Sequence, residues 1–144
     1  ARDLDDSRPA AAMEATGVHG NLAHMYIWWA DALLGAGRLD EAARAAGQGF
    51  DLALRQGERA QEADALHTQA RIFAAREGGG ARALEHYERA LEVAALHDML
   101  PLVGRCHLGM GRVHAAAGEQ ALARITRKPP RNFFFASASS EWHL

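Results

Sequence analysis

The sequence predicts an all-α fold in which antiparallel helical hairpins stack on one another, and two observations support this. First, GRLDEA (37–42), GGGARA (78–83) and GEQALA (118–123) begin 40 or 41 residues apart, and each places glycine and alanine at the start of a helical pattern. Second, alanine is the commonest residue, and the β-branched and aromatic alternation typical of strands is missing. A period in this range is typical of stacked helical hairpins, each too small to bury its own apolar face.

The first predicted hairpin joins a helix over 21–36 to a second helix that ends at Gln56. Gly37 ends the first helix, because glycine readily adopts the positive φ that helix C-termini commonly need. Asp40 marks the first turn of the second helix, where the helix dipole favours negative charge. Gly57 then ends the hairpin.

The second predicted hairpin has its joint at Gly78–Gly80 and continues into ALEHYERALEVAAL (83–96), the clearest helical pattern in the chain. Its apolar stripe runs at helical spacing, and Leu91 within the stripe is expected to be fully buried. The glycines of the joint follow a helix instead of a strand, so we expect a turn there and no phosphate-binding loop.

A fifth helix is expected to begin at Pro101, because proline fits the first turn of a helix. Gly118 is expected to end it, with a sixth helix from Glu119 that Pro129 stops. The glycines of GMG (109–111) lie inside the fifth helix, where we expect them to permit close helix packing.

Three segments follow from this pattern. Residues 1–20 are expected to be a partial helix of a preceding repeat with its joint, residues 21–128 the helical-repeat domain, and residues 129–144 an irregular C-terminal tail. The array therefore begins in mid-repeat, which indicates a fragment of a larger protein.

The pattern of small residue, large apolar residue, glycine turn and alanine across residues 21–125 resembles the tetratricopeptide repeat, although the period exceeds the usual ~34 residues. ALEHYERALEVA (83–94) and CHLGMGRVHAAAGE (106–119) are similar to the C-terminal repeats of large bacterial signalling proteins. Those include LuxR-type regulators and proteins that link an adenylate-cyclase domain to an ATPase. The resemblance implies a right-handed α-solenoid of about two and a half repeats.

In such arrays the first helices of the hairpins line a concave groove that contacts partners. The resemblance and the period together predict nine groove residues, which lie off the apolar stripes. Three arginines and two aspartates among them suit an acidic or carboxylate-bearing peptide, because guanidinium groups bind carboxylates in a bidentate manner. A mixed solvated face is the alternative reading. The nine residues are His24, Ile27, Asp31, Asp64, His67, Arg71, Arg105, Leu108 and Arg112.

No catalytic or cofactor-binding motif is present: GxxxxGK[ST], GxSxG and HExxH are all missing from the sequence. His107 and His114 are two helical turns apart, too far to share a metal ion. His67 and His107 occupy nearly equivalent places in successive hairpins, but no cysteine or carboxylate cluster completes a ligand set. We therefore expect no catalytic residue, no metal and no cofactor, and we do not expect an enzyme.

Cys106 is the only cysteine, so an internal disulfide is excluded, and a reducing, cytoplasmic compartment is expected. We expect Cys106 to be a packed core thiol. The net charge of −2 gives no general attraction to nucleic acid. No apolar run is long enough to span a membrane.

These observations favour a protein-interaction or regulatory scaffold module of a larger bacterial signalling or transcription-regulatory protein, which binds a peptide or protein in the groove. The alternative is a small-ligand-sensing helical domain of a transcriptional activator. A deep enclosed pocket lined by Trp28, Phe73 and Tyr87 would favour the ligand, and an open surface would favour the peptide. Trp28 is adjacent to Trp29, so only one can face the core, and we expect that one to be Trp29.

The uncapped ends of the array predict self-association. Terminal repeats normally need a polar outer surface, and here Met13 with Trp28 at one end, and Leu122, Ile125 and Phe133–Phe135 at the other, would be left exposed. We expect a dimer or higher oligomer that covers one of these ends. Light scattering over a range of concentrations measures this, and a monomer at the highest concentration would contradict it unless the tail covers its own end.

Overall fold

The computed structural model describes residues 21–127, and within this range the chain forms five α-helices and no strand. The all-α class is thereby confirmed, whereas the solenoid geometry stays a prediction. The expected segments over 1–20 and 129–144, including Met13 and Phe133–Phe135, lie outside the described residues. The helices are α1 (Leu22–Gly35), α2 (Leu39–Gln56), α3 (Arg59–Ala75), α4 (Gly80–Leu96) and α5 (Leu100–Arg127).

The joints between the helices are short and depend on left-handed backbone conformations. Gly37, Gly57 and Gly78 have φ of 77°, 69° and 76°, one in each of the first three joints. The fourth joint uses Asp98 at φ 53°, and aspartate is among the few L-residues that tolerate this region. The predicted joints at Gly37, Gly57 and Gly78 are therefore confirmed.

The expected break at Gly118 is wrong, because α5 continues without interruption from Leu100 to Arg127. Among the described glycines a positive φ occurs only in the three joints, so Gly118 keeps the helical backbone of its neighbours. A glycine inside a helix costs only ~1 kcal/mol relative to alanine, and the alanines on both sides of Gly118 favour the helix strongly. The predicted sixth helix from Glu119 is therefore the second half of α5.

The chain divides into two compact units between Val113 and His114, within α5. The first unit contains α1 to α4 and the first half of α5, and it holds the buried core. In the second unit, the described side chains from His114 to Ile125 are exposed, apart from the partly buried Ala123. The candidate site described below lies wholly in the first unit.

The core of the first unit consists of two clusters that share α3. One cluster joins α1 and α2 to Ile72 of α3, and its other members include Leu33 and three alanines of α2. The other joins α3, α4 and the start of α5, with Leu66, Tyr87 and Cys106 among its members. Because more than half of the buried hydrophobic residues in the described range are alanines, the helices can approach one another closely.

α3 is buried on more sides than its sequence suggests. Five of its apolar side chains are buried and Phe73 is partly buried, but Gln61, Glu62, His67 and Thr68 are buried as well. Glu62 forms an ion pair of 2.9 Å with Arg59, which compensates part of the cost of burying the carboxylate. The Oε1 atom of Gln61 is buried without a hydrogen-bond partner in the described structure.

The predicted orientation of the tryptophans is confirmed, and that of Leu91 is corrected. Trp28 is 60% exposed, whereas Trp29 packs partly buried against the cluster of α1 and α2. Leu91 is only partly buried at the edge of the other cluster. Four small or aromatic residues of α4 lie deeper than Leu91 and centre its buried face: Ala83, Tyr87, Ala90 and Ala94.

Tyr87 lies against the backbone of α5 where Gly109 leaves room for it. A methyl group added at Gly109 would lie 2.6 Å from the Tyr87 hydroxyl oxygen and 2.5 Å from ring atom Cε1. A methyl group at Gly111 would meet no atom within 4 Å. Close packing at the GMG segment, predicted for both glycines, is therefore confirmed for Gly109 alone.

We predict opposite effects of alanine at two glycines of α5. Gly109→Ala should lower the free energy of unfolding by ~1–3 kcal/mol, because the added methyl group collides with the buried Tyr87 ring. Gly104→Ala is the matched control, since its methyl group would meet no atom within 4 Å. It should raise stability by ~0.5–1 kcal/mol through helix propensity. Urea unfolding followed by circular dichroism measures both, and equal effects would contradict the Tyr87–Gly109 contact.

Candidate interaction surface on α1, α3 and α5

The nine predicted residues occupy equivalent positions on α1, α3 and α5 at the repeat spacing of 40 and 41 residues. They form three rows across the helices. The first row is His24, Asp64 and Arg105; the middle row is Ile27, His67 and Leu108; the last row is Asp31, Arg71 and Arg112.

Ion pairs join the helices along the first and last rows. Nη1 of Arg71 on α3 lies 2.5 Å from Oδ1 of Asp31 on α1. Nη2 of Arg105 on α5 lies 3.8 Å from Oδ1 of Asp64 on α3. The members of these pairs therefore lie on one side of the three helices. Because most of these groups are exposed, each pair stabilises the fold by only ~0–1 kcal/mol.

The middle row departs from the prediction. Ile27 is 4% exposed and packs beside Gly49 of α2, and His67 is 8% exposed. Neither side chain is available to a partner in this structure, whereas Leu108 is 54% exposed. The physical reason is that the first two residues of the row lie where α1 and α3 pack on neighbouring helices. We name the remaining seven residues the odd-helix face: His24, Asp31, Asp64, Arg71, Arg105, Leu108 and Arg112.

His67 lies beneath this face against Tyr87, with ring centroids 5.6 Å apart in an edge-on arrangement. The pKa of His67 is lowered to about 4, first by burial and then by the positive charges of Arg105 and Arg71. Asp31 and a hydrogen bond to the backbone of Arg105 act in the opposite direction. The imidazole is therefore neutral near pH 7, as suits a buried ring.

Tyr87 connects the two arginines of the last row. Burial raises the pKa of its phenol, while the positive charges of Arg71 and Arg112 both oppose that rise. Arg71 follows His67 by one helical turn, and Arg112 follows Gly109 by one turn. Since His67 and Gly109 both contact Tyr87, both arginines lie near it, one on α3 and one on α5.

Asp64 differs from Asp31 in its surroundings. Burial raises the pKa of the Asp64 carboxyl, and the nearby Arg105 and His24 lower it.

His24 also stacks on the exposed Trp28, with ring centroids 5.5 Å apart. An aromatic ring that is both exposed and held by a neighbour is a favourable contact for a partner.

The aromatic residues expected to line an enclosed pocket have different surroundings from one another. Trp28 is exposed beside His24, Tyr87 contacts His67 and Gly109, and Phe73 lies 4.8 Å from the His86 ring with Arg82 over its face. A surface cavity of about 220 Å³ is instead lined by residues of α3 and α4. These are Arg59, Glu62, Leu66, Arg89, Glu92, Val93 and Leu96.

His107, His114 and Cys106 are the other side chains that the sequence offers as candidates for metal binding or catalysis. Within the described range, no three His, Cys, Asp or Glu side chains are positioned to bind a metal ion. His107 is exposed whereas His67 is buried, so the two do not occupy the nearly equivalent places that the sequence predicted. At the spacing of 41 residues, the equivalent of His67 is Leu108. Cys106 is a buried free thiol, which confirms the expected core role, and burial raises its pKa to about 11.

Comparisons with known proteins add no relative: no protein-family model, curated protein or solved structure matches this chain. None of the helices described between residues 21 and 127 combines the length and the apolar character needed to cross a membrane.

The tyrosine behind the face is the residue that sequence reasoning missed. The sequence places Tyr87 on the apolar stripe of its own helix and among the aromatic residues of a possible ligand pocket, but not behind the predicted groove residues. The signal that could have revealed its role is the glycine opposite it, since a glycine inside a long helix often marks a close approach.

We predict that acid destabilises the fold through His67. Its pKa is depressed in the folded state, so the unfolded chain binds a proton first, and stability falls as the pH drops from 6.5 towards about 4. The slope should reach at most ~1.4 kcal/mol per pH unit. Asp64 acts in the opposite sense, because its raised pKa favours the folded state on acidification.

Urea unfolding between pH 7 and 4 measures this slope. His67→Gln should reduce the loss of stability over that interval, because the glutamine does not titrate. His107→Gln is the matched control at an exposed histidine and should leave the slope unchanged. The same slope in the wild type and in His67→Gln would assign the effect to other groups.

Proposed function

We propose that this chain is a helical-repeat interaction module that binds a peptide or protein through the odd-helix face. One observation supports this function above others: the charged residues that recur at the repeat spacing pair across α1, α3 and α5. These charges recur at the repeat spacing and remain accessible to solvent. Such a pattern favours a binding surface for an extended partner over a solvated face whose charges are unrelated to one another.

The composition of the face supports the same function. Charged side chains surround one exposed leucine, Leu108, and Trp28 lies exposed beside His24 at one edge. Exposed apolar and aromatic side chains among charged groups are typical of interfaces. There the apolar and aromatic side chains contribute binding energy, and the charged groups orient the partner. No comparable observation favours the ligand-sensing alternative, since Trp28, Phe73 and Tyr87 have separate neighbours.

The wider setting remains a proposal that rests on the sequence resemblance alone. We infer a module of a larger bacterial signalling or transcription-regulatory protein, acting in the cytoplasm and without catalysis of its own. Fold-level similarity of this kind gives a class of function and not a particular partner.

We predict that peptides selected on this protein bind the odd-helix face. A random-peptide display library would be selected on the full chain, and the selected peptides would be measured on two variants. Arg105→Glu/Leu108→Asp alters the face, and it should weaken binding about tenfold or more, as expected when contact residues are lost.

Leu54→Asp/Arg55→Glu is the matched control, because it changes an exposed leucine and an exposed arginine on α2. Binding to it should stay within about twofold of the wild type, with unchanged helical circular dichroism for both variants. Loss of binding in the α2 variant, with normal binding to the α5 variant, would place the functional surface elsewhere.

A further inference from the structure

The last row of the odd-helix face carries an uncompensated positive charge. Asp31, Arg71 and Arg112 provide two guanidinium groups for one carboxylate, and Asp31 pairs with Arg71. In the first row, by contrast, Asp64 and Arg105 balance one another. No ion pair joins Arg112 to another described residue, and its side chain is exposed. The excess charge therefore lies at the α5 end of the last row.

Arg71 and Arg112 both lie near Tyr87. The Tyr87 ring contacts His67, one turn before Arg71, and the backbone at Gly109, one turn before Arg112. Both guanidinium groups act to lower the pKa of the Tyr87 phenol, as nearby positive charges do. Seven residues earlier on the same two helices, Asp64 and Arg105 form an ion pair across α3 and α5. Arg71 and Arg112 are therefore neighbours across these helices, and Asp31 pairs with Arg71 from α1.

A single carboxylate suits this arrangement better than a nucleic-acid backbone does. A phosphate backbone that crossed the three helices would meet Asp31 and Asp64, and the chain as a whole carries a net charge of −2. Binding of nucleic acid depends on a series of phosphate contacts with little acidic interruption. One carboxylate between two guanidinium groups avoids both aspartates and gains charge-assisted hydrogen bonds.

Leu108 adds an apolar contact next to this site. It lies four residues before Arg112 on the same face of α5 and is 54% exposed. An apolar side chain that follows or precedes the carboxylate in a peptide could cover Leu108 while the carboxylate reaches the arginines. The first and last rows on either side of Leu108 limit the apolar contact to about one side chain.

We propose that Arg71 and Arg112 together bind one carboxylate of a peptide partner, and that Leu108 binds an apolar side chain adjacent to that carboxylate. This inference rests on the proposed function of the odd-helix face and names the chemistry of its partner. The expected recognition element is an aspartate or glutamate next to an aliphatic or aromatic residue.

The test measures the coupling between a peptide carboxylate and Arg112. Peptides selected by display on the full chain would be synthesised with their acidic residue and with the matching amide, Glu to Gln or Asp to Asn. On the wild type, the amide should weaken binding about tenfold, the effect of losing a charge-assisted contact. On Arg112→Gln the same change should have a clearly smaller effect, below about threefold, because only Arg71 remains to bind the carboxylate.

Arg105→Gln is the matched control on the same helix, and there the carboxylate-to-amide change should retain its full effect. Binding on the wild type should also weaken as salt is raised, since the charges are exposed. Coupling to Arg105 instead of Arg112 would overturn the carboxylate site.

The remaining outcomes separate this inference from the proposed function. Peptides that bind the odd-helix face without acidic enrichment would overturn the carboxylate site and leave the interaction function standing. A single-stranded oligonucleotide that binds in an Arg112-dependent manner would overturn it in favour of nucleic acid. Failure of any peptide to bind the face would overturn both.

Discussion

The burial of α3 between its neighbours is the constraint on which the first unit depends. Both core clusters include α3, and their alanine-rich surfaces bring helices close on more than one side of it. This proximity leaves little room for solvent around polar residues of α3, so Glu62 needs Arg59 and His67 stays neutral against Tyr87. It also fixes the distance from α3 to α1 and to α5, which the charge pairs of the candidate surface require.

Those charge pairs contribute more to the selection of a partner than to the stability of the fold. Exposed ion pairs such as Asp31–Arg71 contribute little free energy, whereas burial of small apolar side chains accounts for most of it. The pairs do determine which charges remain uncompensated, because each pair removes one positive and one negative group from the surface. Asp64 and Arg105 neutralise one another in this way, whereas Arg112 keeps its charge because its row provides only one carboxylate for two arginines.

Much of the fold follows from the sequence, because glycines with positive φ and apolar periodicity are local signals. Such local signals predict the first four helices and the outward orientation of Trp28. The errors concern information that is not local. Gly118 resembles a joint but lacks neighbours that would favour a turn, and Leu91 is less buried than Ala90 because the packed helices lie nearer to the small residues. Likewise, the repeat spacing located the charged rows, but only packing reveals that Ile27 is buried.

The order in which the helices contact one another has a consequence for how the chain folds. Among α1 to α4, each helix contacts the next one in the sequence, and α1 also contacts α3. The Asp31–Arg71 pair between α1 and α3 therefore spans only 40 residues. Closing short loops costs less chain entropy than closing long ones, and helical proteins with mainly local contacts fold in microseconds to milliseconds. A set of helices with such local contacts can gain its structure step by step as the chain leaves the ribosome, before the residues that follow have been synthesised.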